Sequence, residues 1–181
     1  MKNIGLKRGT VKLVQHNPSW KKFFEDEKRR LEERFHGWIL GYDIKIEHIG
    51  STAIPGIDSK PIIDILIGVK DLEDIHWTIE LLEKLGYKLI PQACEIDKLF
   101  FALGDDAKRT HHVHVTAYGN DRWKNDLIFR DYLRSHPDIA KKYDRLKKEL
   151  SEKYPNDRKS YTEDKEQFIQ SVLKEVRGEA K

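Results

Sequence analysis

An apolar stretch that contains one carboxylate constrains this chain more than any other feature. Residues 61–69, PIIDILIGV, are too apolar for a solvated edge strand, and Asp64 stands within them. Burying a carboxylate is costly unless it is paired, hydrogen-bonded or bound to a metal. Asp64 therefore either caps a turn or pairs with a structural Arg or Lys, or it belongs to a phosphate or metal site.

The segment before this strand is typical of a phosphate or metal site. Residues 44–49 are rich in β-branched side chains and predict a short strand. Gly50, Ser51 and Thr52 then predict a tight turn, followed by a loop at 55–56. Glycine lets the backbone approach an anion, and the two hydroxyls add hydrogen-bonding groups.

Composition limits the class of protein. The 181 residues allow one domain, 1–181, with 120–178 as its helical C-terminal portion. Charged residues make up 36% of the chain, but both signs are mixed and the net charge is +3, so there is no strong nucleic-acid signal. The single cysteine, Cys94, excludes an internal disulfide and predicts a cytoplasmic protein. No stretch is long and apolar enough to predict a membrane span.

Hydrophobic periodicity predicts an α/β (α+β) fold: a mixed β-sheet flanked by helices, with a helical C-terminal part. Strands are predicted at 10–15, 44–49, 61–69, 87–91, 99–103 and 110–117. Helices are predicted from Asn17–Pro18 to Gly37, from Asp71 to Gly86, over 122–135, from Pro137, and from Thr162 as the cap of the last. The core stripe of the first helix is Trp20, Phe24, Leu31 and Phe35.

Strand alternation predicts which side chains share a face. Val113 and Val115 point to one side of their strand, whereas His112 and His114 point to the other. The same alternation places Asp64 opposite its isoleucine neighbours. If the two strands are neighbours, we expect Asp64, His112 and His114 on one face of the sheet and His111 on the other.

Motifs in chain order resemble those of the GrpB family. They are HIGSTAIPG at 48–56, KPIIDI at 60–65, HHVHV at 111–115, FRDYLR at 129–134 and YTEDK at 161–165. The resemblance covers nearly the whole chain and implies a fold similar to the nucleotidyltransferase superfamily, a small mixed sheet flanked by helices. The family's function is mostly unassigned. Related domains fused to dephospho-CoA kinase associate it with nucleotide or coenzyme metabolism.

The resemblance also implies catalytic candidates. Nucleotidyltransferases carry a Gly-Ser pair, then two carboxylates one residue apart on a strand, and a third on a later strand; together these acids hold two divalent ions. Gly50 and Ser51 match the pair and Asp64 matches the first carboxylate, but Leu66 occupies the second position. On the later strand, histidines replace the acid. The catalytic candidates are Asp64, Ser51, His112 and His114.

A divalent metal, Mg, Mn or Zn, is the expected cofactor. Imidazole suits zinc or manganese better than magnesium. The candidate metal ligands are Asp64, His112, His114 and, just before the Gly-Ser turn, His48. The alternative is that His112 and His114 hydrogen-bond to phosphate or to neighbouring side chains.

Phosphate recognition draws on the turn and on three basic side chains. The candidates are Gly50, Ser51, Thr52, Lys60, Arg130 and Arg134. Lys60 stands at the mouth of the loop, and the two arginines lie four residues apart on one helical face. The alternative for Arg130 and Arg134 is a salt bridge with Asp131 or Asp138.

These residues leave three functions open. The first is metal-dependent nucleotidyl transfer on a nucleotide or other phosphate-bearing small molecule. The second is a non-catalytic nucleotide- or phosphate-binding module that assists a partner enzyme, which the leucine at position 66 favours. The third is a histidine-metal hydrolase. Whether the protein is an enzyme and how many subunits it has stay open at this point.

Overall fold

The computed structural model describes residues 4–36, 44–70 and 75–178. Its helices are α1 (Ser19–His36), α2 (Ile75–Lys84), α3 (Asp121–Ser135), α4 (Pro137–Lys153) and α5 (Arg158–Val176). Its strands are β1 (Lys45–Ile49), β2 (Ile63–Val69), β3 (Tyr87–Leu89), β4 (Leu99–Asp105) and β5 (Lys108–Ala117). The strand order in the sheet is β1-β2-β5-β4-β3, with β2 and β5 parallel and the other pairs antiparallel. The predicted mixed sheet is therefore confirmed.

The first face of the sheet packs against α1 and α2. Alternate residues of β2 and β5, among them Ile63, Ile65 and Val113, meet the stripe of α1 in one apolar cluster. The predicted stripe, Trp20, Phe24, Leu31 and Phe35, is fully buried there. This burial holds β2 in register, since a slip of one residue would move its isoleucines to the other face.

The second face of the sheet is covered in part by α3. Trp123 packs over Gly68 so closely that a Cβ there would lie 2.7 Å from the indole ring. Leu66 and Ile49 complete this contact with Trp123. Residues of α3, α4 and α5 form a separate core with Ile54 and Ile57 of the loop before β2. The C-terminal helices therefore pack against the loop that precedes Asp64.

Several predicted boundaries need correction. Residues 10–15 are not a strand: only Val14 pairs, through an isolated bridge to Ser59. Helix α5 begins at Arg158 rather than at Thr162, because Asp157 accepts a hydrogen bond from Ser160 N and caps it. The predicted stop at Gly37 and cap at Asp71 lie outside the described residues.

The predicted β4–β5 hairpin is confirmed. The two strands pair antiparallel, and Asp105 Oδ1 accepts hydrogen bonds from the backbone of residues 107 and 108 at the turn. Among the described residues, no helix combines the length and apolar character needed to cross a membrane.

Candidate functional site

Asp64 and His112 meet across the central pair of strands. In the parallel β2–β5 register Asp64 lies opposite His112, and Leu66 lies opposite His114. His112 Nδ1 is 3.0 Å from Asp64 Oδ1. Because an ionised carboxylate only accepts hydrogen bonds, the proton is on Nδ1 and the imidazole donates it. The predicted adjacency of the two strands, with both side chains on one face, is confirmed.

Charge at this pair is set by burial and by the hydrogen bonds. Burial would raise the pKa of Asp64, but the hydrogen bond from His112 and the nearby imidazole of His114 outweigh it and hold that pKa well below its usual range. Burial lowers the pKa of His112 to about 4, despite the raising effect of Asp64. At neutral pH the pair is thus a carboxylate that accepts a hydrogen bond from a neutral histidine. The side chain of Asp64 remains 28% exposed.

His114 lies beside this pair without bonding to it directly. Its Nε2 is 3.9 Å from Asp64 Oδ1, and its side chain is 21% exposed. The ring of Phe100 contacts both histidines, with centroid distances of 5.0 Å to each. His111 is buried on the other face, as alternation predicts, and its Nδ1 lies 3.0 Å from Thr110 Oγ1. The structure therefore brings Asp64, His112 and His114 together and excludes His111.

Gly50 places the Gly-Ser turn directly against Asp64. Its φ of 69° with ψ of −175° is a conformation reached essentially by glycine alone. A Cβ at Gly50 would lie 2.6 Å from Asp64 Oδ2. Residues 51–53 form one turn of 3₁₀ helix, closed by a hydrogen bond from Ala53 N to Gly50 O. The predicted tight turn at this position is confirmed, while the role of Gly50 and Ser51 in phosphate binding stays a prediction.

Thr52 is a correction to the predicted phosphate site. Its hydroxyl donates to the Ile62 carbonyl at 3.3 Å, and it lies 3.0 Å from His48 Nε2, from which it accepts. Thr52 is buried. Since both hydrogen-bonding functions of the hydroxyl are used inside the protein, Thr52 ties the turn to β1 and β2 and is not available to a ligand.

His48 is a second correction, because it lies on the opposite face of the sheet from Asp64. In the β1–β2 register His48 pairs with Ile65, whereas Asp64 pairs with Ile49. The His48 ring stacks on Phe24 of α1 at 4.7 Å, and burial lowers its pKa to about 4. It therefore cannot join Asp64 as a ligand. His48, His111 and His112 are called the three buried histidines below.

Once His48 is set aside, the predicted metal ligands that remain are Asp64, His112 and His114. No three His, Cys, Asp or Glu side chains are grouped to hold a metal within the part of the chain that the structure describes. The Nδ1 of His112 already donates a hydrogen bond to Asp64. Leu66, at the second carboxylate position, is buried against Trp123. Metal ligation by Asp64 and His114 stays a prediction.

Arg130 and Arg134 make the salt bridges that the sequence left as an alternative. Arg130 donates to Glu47 Oε2 at 2.7 Å, to the His48 carbonyl at 3.0 Å, and through Nε to Asp131 at 2.7 Å. Arg134 Nε donates to the Ala53 carbonyl at 2.9 Å. These contacts fasten α3 to β1 and to the turn. The assignment of both arginines to the phosphate site beside Asp64 is corrected accordingly.

The two arginines face a groove beside α1 and β1 instead. The groove holds about 570 Å³ and is lined by residues that include His48, Thr52, Arg130 and Arg134. Neither Asp64 nor His112 lines it. It is therefore distinct from the face that carries the Asp64–His112 pair.

Lys60 approaches the Asp64 region from the loop before β2. Its side chain is half-buried, with Nζ 5.2 Å from the centroid of the Tyr161 ring of α5. Burial, together with the charges of Arg158 and Lys165, lowers the pKa of Lys60 well below its usual value. Across the described ranges its ammonium has no carboxylate partner within salt-bridge distance. Lys60 is thus a partly desolvated amine without a carboxylate partner within salt-bridge distance among the described residues.

Sequence reasoning missed two residues near this site. Arg158, at the start of α5, acts electrostatically on Lys60 and is itself acted on by Asp64. Asp126 lies one helical turn from both Trp123 and Arg130 on the sheet-facing side of α3, and burial raises its pKa. Neither residue belongs to a motif that could have indicated it, because both reach the site through packing of the C-terminal helices.

Known proteins are similar to this chain in both sequence and fold. Residues 10–175 match the family model described as GrpB protein. The chain is 43% identical over 178 residues to the glutamate-rich protein GrpB of Alkalihalophilus pseudofirmus, covering 96% of this chain and 99% of that protein. The crystal structure of the conserved protein GrpB from Enterococcus faecalis is similar with a TM-score of 0.77 and 32% identity, covering 91% of this chain and 99% of that one.

A more distant likeness concerns the fold alone. A crystal structure of the Cid1 poly(U) polymerase bound to MgATP matches 77% of this chain and 44% of its own, with a TM-score of 0.54 and 12% identity. The predicted nucleotidyltransferase-like fold class is thereby confirmed. Since the family model spans most of the sequence and the similarity to the A. pseudofirmus protein runs over nearly its full length, the chain belongs to the GrpB family.

Proposed function

We propose that the protein binds a nucleotide or another phosphate-bearing small molecule on the face of the sheet that carries Asp64. One observation supports this function: the ionised carboxylate of Asp64, held by His112 next to the Gly50 turn, lies in the same region as the Lys60 amine, which has no salt-bridge partner among the described residues. A sugar phosphate offers the complement of that pair, a hydroxyl for the carboxylate and an anion for the ammonium.

Asp64 supplies the hydroxyl acceptor. Its Oδ1 accepts from His112, which fixes the orientation of the carboxylate, and a carboxylate keeps further lone pairs for other donors. The side chain is accessible enough for a ligand to reach it. Phosphate alone would be repelled by this charge, so the group that Asp64 selects is a donor such as a ribose hydroxyl.

Lys60 supplies the phosphate contact. A cation without a counterion in a half-buried position costs free energy that an anionic ligand offsets. Lysine is a common phosphate ligand because its three donors adapt to the phosphate oxygens. The backbone of the Gly50 turn, beside the carboxylate, can come close to the same ligand because glycine has no side chain.

The residues of the Asp64 face support binding rather than a particular reaction. The fold is shared with a polymerase crystallised with MgATP, which agrees with a nucleotide as ligand, but a shared fold does not carry an activity. Two-metal nucleotidyl transfer needs a second carboxylate where this chain has buried Leu66. A histidine-metal hydrolase needs a ligand set that the described residues do not form.

Calorimetric titration of the full chain with adenosine monophosphate in buffer with EDTA tests the proposal. We expect saturable binding that Lys60→Met weakens by about tenfold or more, since a charge-assisted hydrogen bond is lost. Asp64→Asn should weaken the binding of adenosine monophosphate but not the binding of inorganic phosphate. The matched control is Lys159→Met, because Lys159 is 84% exposed and should not affect binding. Binding that is unchanged in Lys60→Met, or no binding by the wild type, would contradict the proposal.

A further inference from the structure

Three basic side chains, two of them at the ring of Tyr161 and one three residues before it, have no acidic partner within salt-bridge distance in the described part of the chain. Lys60 Nζ and Lys165 Nζ lie 5.2 and 5.7 Å from the centroid of that ring. Arg158 lies three residues before Tyr161 on α5 and is half-buried, and Asp64 is the acid that acts on it electrostatically. Within residues 4–36, 44–70 and 75–178, none of the three side chains has an ion pair. They are called the cationic row (Lys60, Arg158, Lys165) below.

Other basic side chains near the cationic row have acidic partners. Lys147 lies 3.6 Å from Asp144, and Lys148 lies 2.7 Å from the same carboxylate. Arg109 lies 2.8 Å from Asp106. In this part of the protein, charges brought near one another are usually compensated, as burial requires. An external anion is the compensation that the cationic row lacks.

The cationic row is extended rather than gathered at one point. Arg158 and Lys165 are seven residues apart on α5, which corresponds to about 10 Å along the helix axis. Helical side chains lean towards the N-terminus, and Lys165 accordingly reaches back over the ring of Tyr161. A single phosphate is too small to contact the whole row. A chain of linked phosphates has the matching length and charge.

We infer that the cationic row binds an oligophosphate, so that the ligand of the Asp64 face is a nucleoside diphosphate or triphosphate rather than a monophosphate. This inference rests on the proposed function and specifies its ligand class. Lys60 contacts the phosphate nearest the sugar, and Asp64 accepts a hydrogen bond from a hydroxyl of that sugar. Arg158 and Lys165 contact the outer phosphates.

Titrations of the full chain with orthophosphate, pyrophosphate and tripolyphosphate, in EDTA at fixed ionic strength, test this inference. Tripolyphosphate should bind about tenfold more tightly than orthophosphate, or better, since it adds charge-assisted hydrogen bonds. Arg158→Gln and Lys165→Met should each remove most of that difference while leaving orthophosphate affinity nearly unchanged. The two variants test independent positions, so a folding defect in one, seen by circular dichroism, leaves the other decisive.

Lys159→Met separates a built site from general attraction to a basic protein. Lys159 is the exposed neighbour of Arg158 and lies 3.8 Å from Glu163. A loss of tripolyphosphate affinity in Lys159→Met as large as in Arg158→Gln would overturn the inference. Equal affinity of the wild type for orthophosphate and tripolyphosphate would overturn it as well.

The titration with adenosine monophosphate distinguishes this failure from a failure of the proposed function. If the monophosphate binds and depends on Lys60 and Asp64, but adenosine triphosphate binds no more tightly, only the oligophosphate inference is wrong. If adenosine monophosphate and triphosphate both fail to bind, the proposed function is wrong too.

Discussion

Replacing Lys60 by methionine is expected to stabilise the protein in the absence of ligand. Burying an unpaired ammonium costs several kcal/mol, whereas the cation–π contact with Tyr161, at 5.2 Å, contributes only about 0.5–2 kcal/mol. Partial exposure of Lys60 reduces the cost without reversing it. Lys60→Met should therefore raise the free energy of unfolding at neutral pH by about 1–2 kcal/mol.

The pH dependence distinguishes this effect from improved packing. In the unfolded chain the lysine titrates near 10.5, and in the folded protein its pKa is lowered. Between the two values the unfolded chain binds more protons, so the stability of the wild type rises with pH. The advantage of Lys60→Met should accordingly shrink as the pH approaches about 10.

Urea unfolding followed by tryptophan fluorescence at neutral and alkaline pH measures both effects. Lys159→Met is the control and should change stability by less than about 0.5 kcal/mol, because Lys159 is 84% exposed. The reasoning is refuted if Lys60→Met loses more than about 1 kcal/mol at neutral pH. That result would mean that Lys60 is a compensated structural charge.

Three further outcomes are expected. Gly50→Ala should lose at least about 2 kcal/mol through backbone strain and the 2.6 Å approach to Asp64, whereas Gly56→Ala, which meets no atom within 4 Å, should lose less; urea unfolding compares them. Arg130→Met should cost about 1–3 kcal/mol by breaking its bonds to Glu47 and the β1 backbone, with unchanged nucleotide affinity by calorimetry. The three buried histidines, with pKa values lowered to about 4, bind fewer protons folded than unfolded, so stability should fall from pH 6.5 towards pH 4 by up to about 1.4 kcal/mol per pH unit for each. A flat unfolding profile over that window would contradict this last expectation.

The Asp64–His112 pair could be predicted from the sequence because strand periodicity fixes the face of each side chain. Two strands whose apolar residues face the same core must turn their remaining residues to the same opposite side. His48 could not be placed in this way. It precedes the glycine turn by two residues, but its face depends on the register of β1 against β2, which pairs Ile49 with Asp64.

The cationic row could not be predicted because its members come together only through tertiary packing. Lys60 and Arg158 are far apart in sequence, and the start of α5 was expected later, at Thr162. Arg130 shows the converse. Its helical spacing with Arg134 fits phosphate recognition. In the structure, however, its guanidinium donates a hydrogen bond to Glu47, which lies on β1.

A crystal structure of the protein soaked with adenosine monophosphate tests the central claim most directly. We expect the phosphate within hydrogen-bond distance of Lys60 Nζ and a ribose hydroxyl donating to Asp64, close to the Gly50 turn. The nucleotide bound instead in the groove lined by Thr52 and Arg134, with the Asp64 face empty, would contradict the account.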